Sequence, residues 1–222
     1  MYISRITLQD SAQRTSEFLR VFQSSYTLHQ SIWRLFSDHA DRRRDFLYRL
    51  EECEGRPLIY AVSEREAGRN QDLWYVETKR YVPKIIAGLQ LAFMLRANPI
   101  RAKRDENNKQ HRHDVIMEAK TRLRGQDEKK PLPLLIREEG SNWLSSRAER
   151  FGFEFEPQRL RVDGYQRHRF FKGKGGRQVS LSAVEFNGVL TVTDPRLFLE
   201  ALYKGVGPAK TFGCGLMLVR RI

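Results

Sequence analysis

Cysteine is scarce in this chain: only Cys53 and Cys214 occur, far apart in 222 residues. That excludes a disulfide framework and a cysteine-based zinc knuckle, and it fits a reduced, cytoplasmic setting. Long apolar runs are missing too. Leu89 to Leu95 has Gln90 inside it and falls far short of the ~20 residues that span a bilayer. No basic-then-apolar leader opens the chain, because Tyr2 to Leu8 alternates like a strand. Acidic residues are in deficit, 27 against 40 Lys+Arg, for a net charge of +13. The carboxylates are scattered, with no paired pattern to hold magnesium for two-metal phosphoryl chemistry. His111 and His113 have ligand-like spacing but no Cys/Asp/Glu set near them, so a solvated loop accounts for them better. His39 and His168 show no partner pattern. No metal and no cofactor is expected.

A nucleotide-hydrolysing P-loop is also missing. Gly205-x-Gly207-x-x-Lys210-Thr211 resembles one, but Ala209 stands where a glycine belongs. A P-loop leaves a strand and opens a helix, whereas this segment follows a helix. Asp194 fits an N-cap, Pro195 the first helical position and Gly205 the residue past the end. What is present is a bend with four glycines (Gly205, Gly207, Gly213 and Gly215) around the single cation Lys210. Such a backbone approaches a ligand closely or turns through positive φ. In a basic chain this points to a polyphosphate ligand. Leu216 to Val219 then reads as a short buried strand.

The pattern along the chain predicts an α+β protein. Tyr2 to Leu8, Phe46 to Leu50 and Leu58 to Val62 read as strands, with Gly55 and Pro57 as turn residues. Ser24 to Phe36 has helical spacing. Residues 64–80 are too charged to assign. Gly88 to Leu95 reads as a buried strand closing a βαββ(α)β ferredoxin-like unit over residues 1–98. Between Arg101 and Lys130 ten Lys/Arg and six Asp/Glu mark residues 99–130 as a charged linker. Residues 131–222 form a second α+β unit: a helix from Leu135 to Phe151, strands at Tyr165–Phe171, Gln178–Val184 and Phe186–Val192, and the last helix. Lys172-Gly-Lys-Gly-Gly176 reads as the basic, glycine-rich tip of a hairpin.

Two constellations carry chemistry. Arg159, Arg161, Arg167, Arg169, Lys172, Lys174 and Arg177 lie within nineteen residues beside one acid, Asp163, with Tyr165, Phe170 and Phe171 interleaved. Cations match phosphates and aromatics pack on bases, so nucleic acid is the expected partner. On the Ser24–Phe36 helix, Leu28, Ile32 and Leu35 share one face, while Tyr26 and His29 project together away from it. One reading makes them a general acid–base pair; the other makes His29 a half-packed boundary residue. If the chain is a nuclease, the missing carboxylate site leaves it attack by an RNA 2′-hydroxyl on its own adjacent phosphate. That needs a base, an acid and a cation.

Tyr26-Thr-Leu-His29-Gln-Ser-Ile-Trp33-Arg-Leu-Phe36, Leu95-Arg-Ala-Asn-Pro99, Trp143-Leu144, Gly188-Val-Leu-Thr191 and the segment from Gly205 to Leu216 together resemble the CasE (Cse-type) family, CRISPR RNA-processing endoribonucleases of subtype I-E. The resemblance spans essentially the whole chain. It implies two tandem ferredoxin-like (RRM-like) domains and metal-independent cutting of CRISPR precursor RNA 3′ of the repeat stem-loop, with a 2′,3′-cyclic phosphate product. It implies retention of the hairpin within the Cascade complex, with the other Cascade subunits as partners and no membrane. By motif position His29 becomes the acid or base, Tyr26 its partner and Lys210 part of a loop against the RNA backbone. The Lys172–Arg177 hairpin becomes the element inserted in the RNA major groove, with Arg34 a further RNA contact. The competing expectations are a non-catalytic RRM-like RNA-binding scaffold and a basic ribosome- or tRNA-associated protein.

Overall fold

The computed structural model describes residues 1–10, 16–37, 44–68, 73–124, 130–171 and 178–222. The first unit comprises β1 (Tyr2–Leu8), α1 (Ser16–Phe22), α2 (Ser25–Phe36), β2 (Phe46–Cys53), β3 (Arg56–Ser63) and β4 (Trp74–Arg80). Its antiparallel sheet has the order β2-β3-β1-β4, the ferredoxin-like arrangement. Among the described residues no helix links β3 to β4. Glu54 and Gly55, at φ 53° and 74°, form the two-residue turn between β2 and β3. Paired positive φ values suit the right-handed twist of the flanking strands. Pro57, expected in that turn, lies inside β3 opposite Glu52. Leu28, Ile32, Leu35 and Phe36 of α2 are buried with Ile6, Ile59 and Trp74 of the sheet, as the helical spacing predicts.

The second unit comprises β5 (Gln90–Ala97), β6 (Ile100–Arg104), β7 (Gln110–Asp114), α3 (Val115–Arg122), α4 (Leu132–Ala148), β8 (Phe153–Glu154), β9 (Leu160–Phe171), β10 (Gln178–Val192), α5 (Pro195–Lys204) and β11 (Met217–Arg221). Its sheet runs β11-β5-β10, with β8 and β9 both on the far side of β10. Apart from β8, this repeats the strand order of the first unit. The fold is therefore α+β with two ferredoxin-like sheets.

Three expectations need correction. The strand assigned to the close of the first unit is β5, which pairs with β10 and β11. The first sheet ends instead with β4, from the stretch too charged to assign, so the units part between Arg80 and Gln90 rather than at residue 98. Alternation shows that a strand has a buried face but not which sheet receives it. The expected linker is also structured. β6 and β7 form a two-stranded ribbon in register from Ile100↔Asp114 to Arg104↔Gln110. Asp105 turns it by accepting from the Asn107 and Lys109 amides at 3.0 and 2.9 Å. Both faces of the ribbon are solvated, so no apolar alternation marks it. Finally, two predicted strands are one, β10, with a register shift between Ala183 and Glu185.

The two sheets meet through an ion network inside an apolar contact. Arg49 on β2 is 1% exposed and pairs with Glu51 and, at 2.8 Å, with Glu185 on β10. Arg96 on β5 also pairs with Glu185 and donates to the Leu50 carbonyl at 3.2 Å. Leu47, Val62 and Leu216 form a buried cluster beside Tyr81 and Tyr203, and the Tyr203 hydroxyl donates to the Tyr81 carbonyl at 3.0 Å. Removing one partner of a buried pair strands the remaining charge, at a cost of roughly 3 kcal/mol. Because Arg49 keeps Glu51 as a partner, we expect Glu185→Ala to lower the unfolding free energy by less than that, by about 1–2 kcal/mol, in urea titrations, and Glu185→Gln to lower it less still. A Glu185→Ala protein as stable as the wild type would show that the network does not hold the units.

Candidate active site

Local sequence sets the start of α2. Ser24 caps it: its side chain accepts from the Thr27 amide at 3.1 Å, and the Thr27 hydroxyl accepts from the Ser24 amide at 3.1 Å. Such a cap contributes about 1 kcal/mol. Ser31, buried on the sheet side, accepts from Trp74 Nε1 at 2.8 Å, which fixes the helix rotation. His29 is left half-buried on the flank. Its ring lies 6.1 to 6.5 Å, centroid to centroid, from those of Trp33, Phe46, Tyr48 and Phe212. Tyr26, one turn earlier, accepts from Gln30 Nε2 at 3.2 Å.

Phe212 comes from the other unit. Asp194 caps α5 by accepting from the Arg196 and Leu197 amides at 2.8 and 2.9 Å, and the helix ends at Gly205 as the capping residues predict. The loop beyond is pinned at its neck, where the Val206 amide donates to the Gly215 carbonyl and the Gly215 amide to the Arg96 carbonyl. Within it, Lys210–Phe212 form a one-turn 3-10 helix that enters through Ala209 and leaves through Gly213, both at positive φ. The Tyr48 hydroxyl donates to the Thr211 carbonyl at 3.2 Å. A Cβ at Gly213 would sit 3.3 Å from the Tyr48 ring, and one at Gly205 would sit 2.8 Å from Leu47. These two glycines thus let the loop close onto β2, placing Phe212 against His29.

Electrostatics follow from this packing. Burial raises the Tyr48 pKa, with smaller effects from Cys214, Arg44 and Arg96, so its hydroxyl remains a donor. Burial pushes the Cys214 thiol up to about 12, which makes it a packing residue. The Lys210 ammonium donates to the Lys204 carbonyl. Its pKa is lowered first by burial, then by the positive charges of Arg44 and Lys204. Arg44 is itself lowered by burial.

Arg167 and Arg169 on β9 line a groove of about 460 Å³ with Ser24 and Leu28 of α2. A neighbouring cleft of about 590 Å³ runs between the units, lined by Tyr48, Phe212, Arg96 and His168. The structure thus brings part of the basic strand toward the helix that carries His29. The His168 pKa is lowered by burial and then by Arg96. Arg34, Arg159 and Arg161 are exposed, and Arg161 pairs with Asp163. Lys172, Lys174 and Arg177, with the glycine tip between them, lie outside the described residues, as does His39. Tyr165, expected among base-packing aromatics, instead donates to Asp114 Oδ2 at 2.7 Å and packs on the core of its own unit. His111 and His113 lie on the exposed β7, with His111 bonded to Asp105 at 2.7 Å. Among the described residues no three His, Cys, Asp or Glu side chains converge as metal ligands, and no helix is long and apolar enough to cross a membrane. Tyr48, Phe46, Phe212 and Arg44 were not legible as site residues, because no spacing links positions 44–48 with 210–212.

Comparison with known proteins agrees with this architecture. The family model described as CRISPR associated protein matches residues 1–221. The chain is 27% identical over 226 residues to the CRISPR system Cascade subunit CasE of Escherichia coli, covering 98% of each. It is 28% identical over 234 residues to the CRISPR-associated endoribonuclease Cse3 of Thermus thermophilus, covering 99% of each. Among solved structures, CRISPR endoribonuclease Cse3 bound to a 19-nucleotide RNA superposes with a TM-score of 0.73 at 25% identity, over 99% of this chain and 100% of that one.

The loop geometry yields a direct test. Gly213 has φ +78° against the Tyr48 ring, whereas Gly55 has φ +74° with nothing within 4 Å of an added Cβ. A side chain in the left-handed region costs about 1–2 kcal/mol. Gly55→Ala should show that cost alone, while Gly213→Ala should exceed it in thermal unfolding and displace Phe212 from His29. Equal losses in the two variants would mean that the loop is not seated on Tyr48.

Proposed function

The chain belongs to the CRISPR-associated protein family, and on that premise we propose that it is an endoribonuclease that cleaves CRISPR precursor RNA 3′ of the repeat stem-loop and retains the hairpin as a Cascade subunit. The observation that carries the reading is the docking of the Lys210–Phe212 turn of the second unit on His29 and Tyr48 of the first. His29 of the first unit and the turn of the second unit that carries Lys210 thereby meet at one junction. The reading carries a cytoplasmic location.

In the proposed reaction the 2′-hydroxyl attacks the adjacent phosphorus while the 5′-oxygen of the next nucleotide departs. The products are a 2′,3′-cyclic phosphate and a 5′-hydroxyl. His29 moves a proton at one of these oxygens, since imidazole titrates near neutrality. Tyr26 assists from the preceding turn. Lys210, already desolvated and close to other positive charge, meets the charge that grows on the phosphorane. Arg167 and Arg169 support the same assignment from β9, where they face the start of α2 across the groove. The Lys172–Arg177 tip contacts the stem phosphates, and no metal takes part.

His29→Ala should abolish cleavage of a repeat hairpin while leaving affinity within a few-fold. Tyr26→Phe should slow single-turnover cleavage by less than the roughly 10²–10⁴-fold typical of a full acid–base group. A deoxyribose at the cleaved position should stop the reaction, and EDTA should not. Full activity of His29→Ala would remove His29 from the proton transfer and move the catalytic site elsewhere, whereas a wild-type protein that binds the hairpin without cutting it would be an RNA-binding scaffold. Neutralising Lys172, Lys174 and Arg177 together should weaken hairpin binding and flatten log K against log[salt] by somewhat under ~1 per lost phosphate contact. Unchanged affinity and slope in that folded variant would move the stem contact elsewhere.

A further inference from the structure

A second cationic site lies on the helical side of the second unit. A pocket of about 500 Å³ opens between the end of α4 and the end of α5, lined by Arg147, Arg150, Glu200, Lys204 and Lys210. Arg147 is held rigidly there. Its guanidinium stacks 4.4 Å over Trp143 and donates to the carbonyls of Trp143 and Ile100 at 2.9 and 3.1 Å. That last bond puts Arg101, the next residue, beside the pocket. Glu200 is the one carboxylate in the lining, and Lys204 engages it at 2.7 Å. Among the described residues no carboxylate pairs with Arg101, Arg147 or Arg150. Clustering like charges around a partly desolvated pocket is unfavourable unless an anion neutralises them. The Arg147 pKa is lowered by burial and then by Arg101 and Arg150, consistent with that crowding.

We propose that this pocket is a phosphate subsite for the single-stranded RNA that continues 3′ of the cleaved bond. The inference rests on the endoribonuclease reading for the position of that bond. Lys210 both lines the pocket and sits in the turn docked on His29, so a strand leaving the scissile phosphate meets the pocket next. The strand β9, which leads into the tip assigned to the stem, lies at the opposite sheet edge from β11, into which the Lys210 loop runs. Stem and downstream strand therefore have separate cationic surfaces on either side of the junction.

The test measures binding of two RNAs, a repeat hairpin ending at the stem and the same hairpin with a single-stranded 3′ extension, the second carrying a 2′-deoxy block at the cleavage position. The variant is Arg101→Gln/Arg150→Gln/Lys204→Gln, which spares Lys210 and the stacked Arg147. The wild-type protein should bind the extended RNA more tightly, and the variant should lose about tenfold on that RNA alone. Its salt slope on the extended RNA should fall by about 0.7 per lost phosphate contact. Unchanged affinity of the variant for the bare hairpin reports that it is folded. Equal loss on both RNAs assigns the pocket to the stem and overturns the proposal. So does a wild-type protein that gains nothing from the extension, or a variant that keeps the gain. Cleavage of unblocked RNA is scored separately: if the wild-type protein does not cut but the extension is still read through these three residues, the pocket stands and the catalytic reading falls.

Discussion

The contact between Glu185 and the two arginines Arg49 and Arg96 governs how the halves of this molecule meet. Glu185 on β10 holds Arg49 from the first sheet and Arg96 from its own, and Arg96 reaches back to the Leu50 carbonyl. Leu47, Val62 and Leu216 supply the adhesion around it, at roughly 1.5–3 kcal/mol for each fully buried side chain. The ions contribute differently. Their desolvation offsets most of their attraction, so a buried network of this kind adds little net stability but penalises misalignment heavily. Apolar surfaces slide, whereas a carboxylate shared by two guanidiniums has one good geometry. Near this lock, the Gly215 amide bonds the Arg96 carbonyl, which ties the neck of the glycine-rich loop to the same arginine.

The candidate active site is consequently a property of the interface rather than of either unit. His29 belongs to a helix whose rotation is set within the first unit by Ser24, Ser31 and Trp74. Lys210 and Phe212 belong to a loop closed within the second unit. Neither arrangement depends on the other until Tyr48 accepts the turn on its ring face and bonds its backbone. In the proposed reaction, a proton-transfer group and a cation on two bodies would let a long ligand lie across the junction. That arrangement would also make the chemistry sensitive to residues distant from it, Glu185 among them.

Local features are legible in the sequence where a few neighbouring residues decide the outcome. The cap at Asp194, the stop at Gly205 and the apolar face of α2 follow from side chains within one or two turns. The β2–β3 turn follows from Glu54-Gly55. The basic strand was legible too, because the exposed cations of β9 are contiguous in sequence. Structure is not legible where a distant partner decides. β5 alternates as a strand should, yet only the opposing β10 and β11 assign it to the second sheet. β6 and β7 expose both faces, so a ribbon and a charged linker look alike in composition. Tyr165 looked available for bases, but Asp114, at the cap of α3, occupies its hydroxyl.

By itself, then, the amino-acid sequence determined the charge of the molecule, its α+β class, the position of its main helices and turns, and Tyr26, His29 and Lys210 as candidates for chemistry. These follow from period, capping and composition, which act over a few residues. Tertiary structure alone decided which sheet owns each strand, that the loop glycines serve its closure onto β2, and that His29 faces Phe212 across two units. It also gathered Arg147, Arg150 and Lys204 around one pocket, with Arg147 bonded to the Ile100 carbonyl next to Arg101. Those outcomes depend on pairings between segments far apart in the chain, where burial and shape select the partner and no local spacing encodes it.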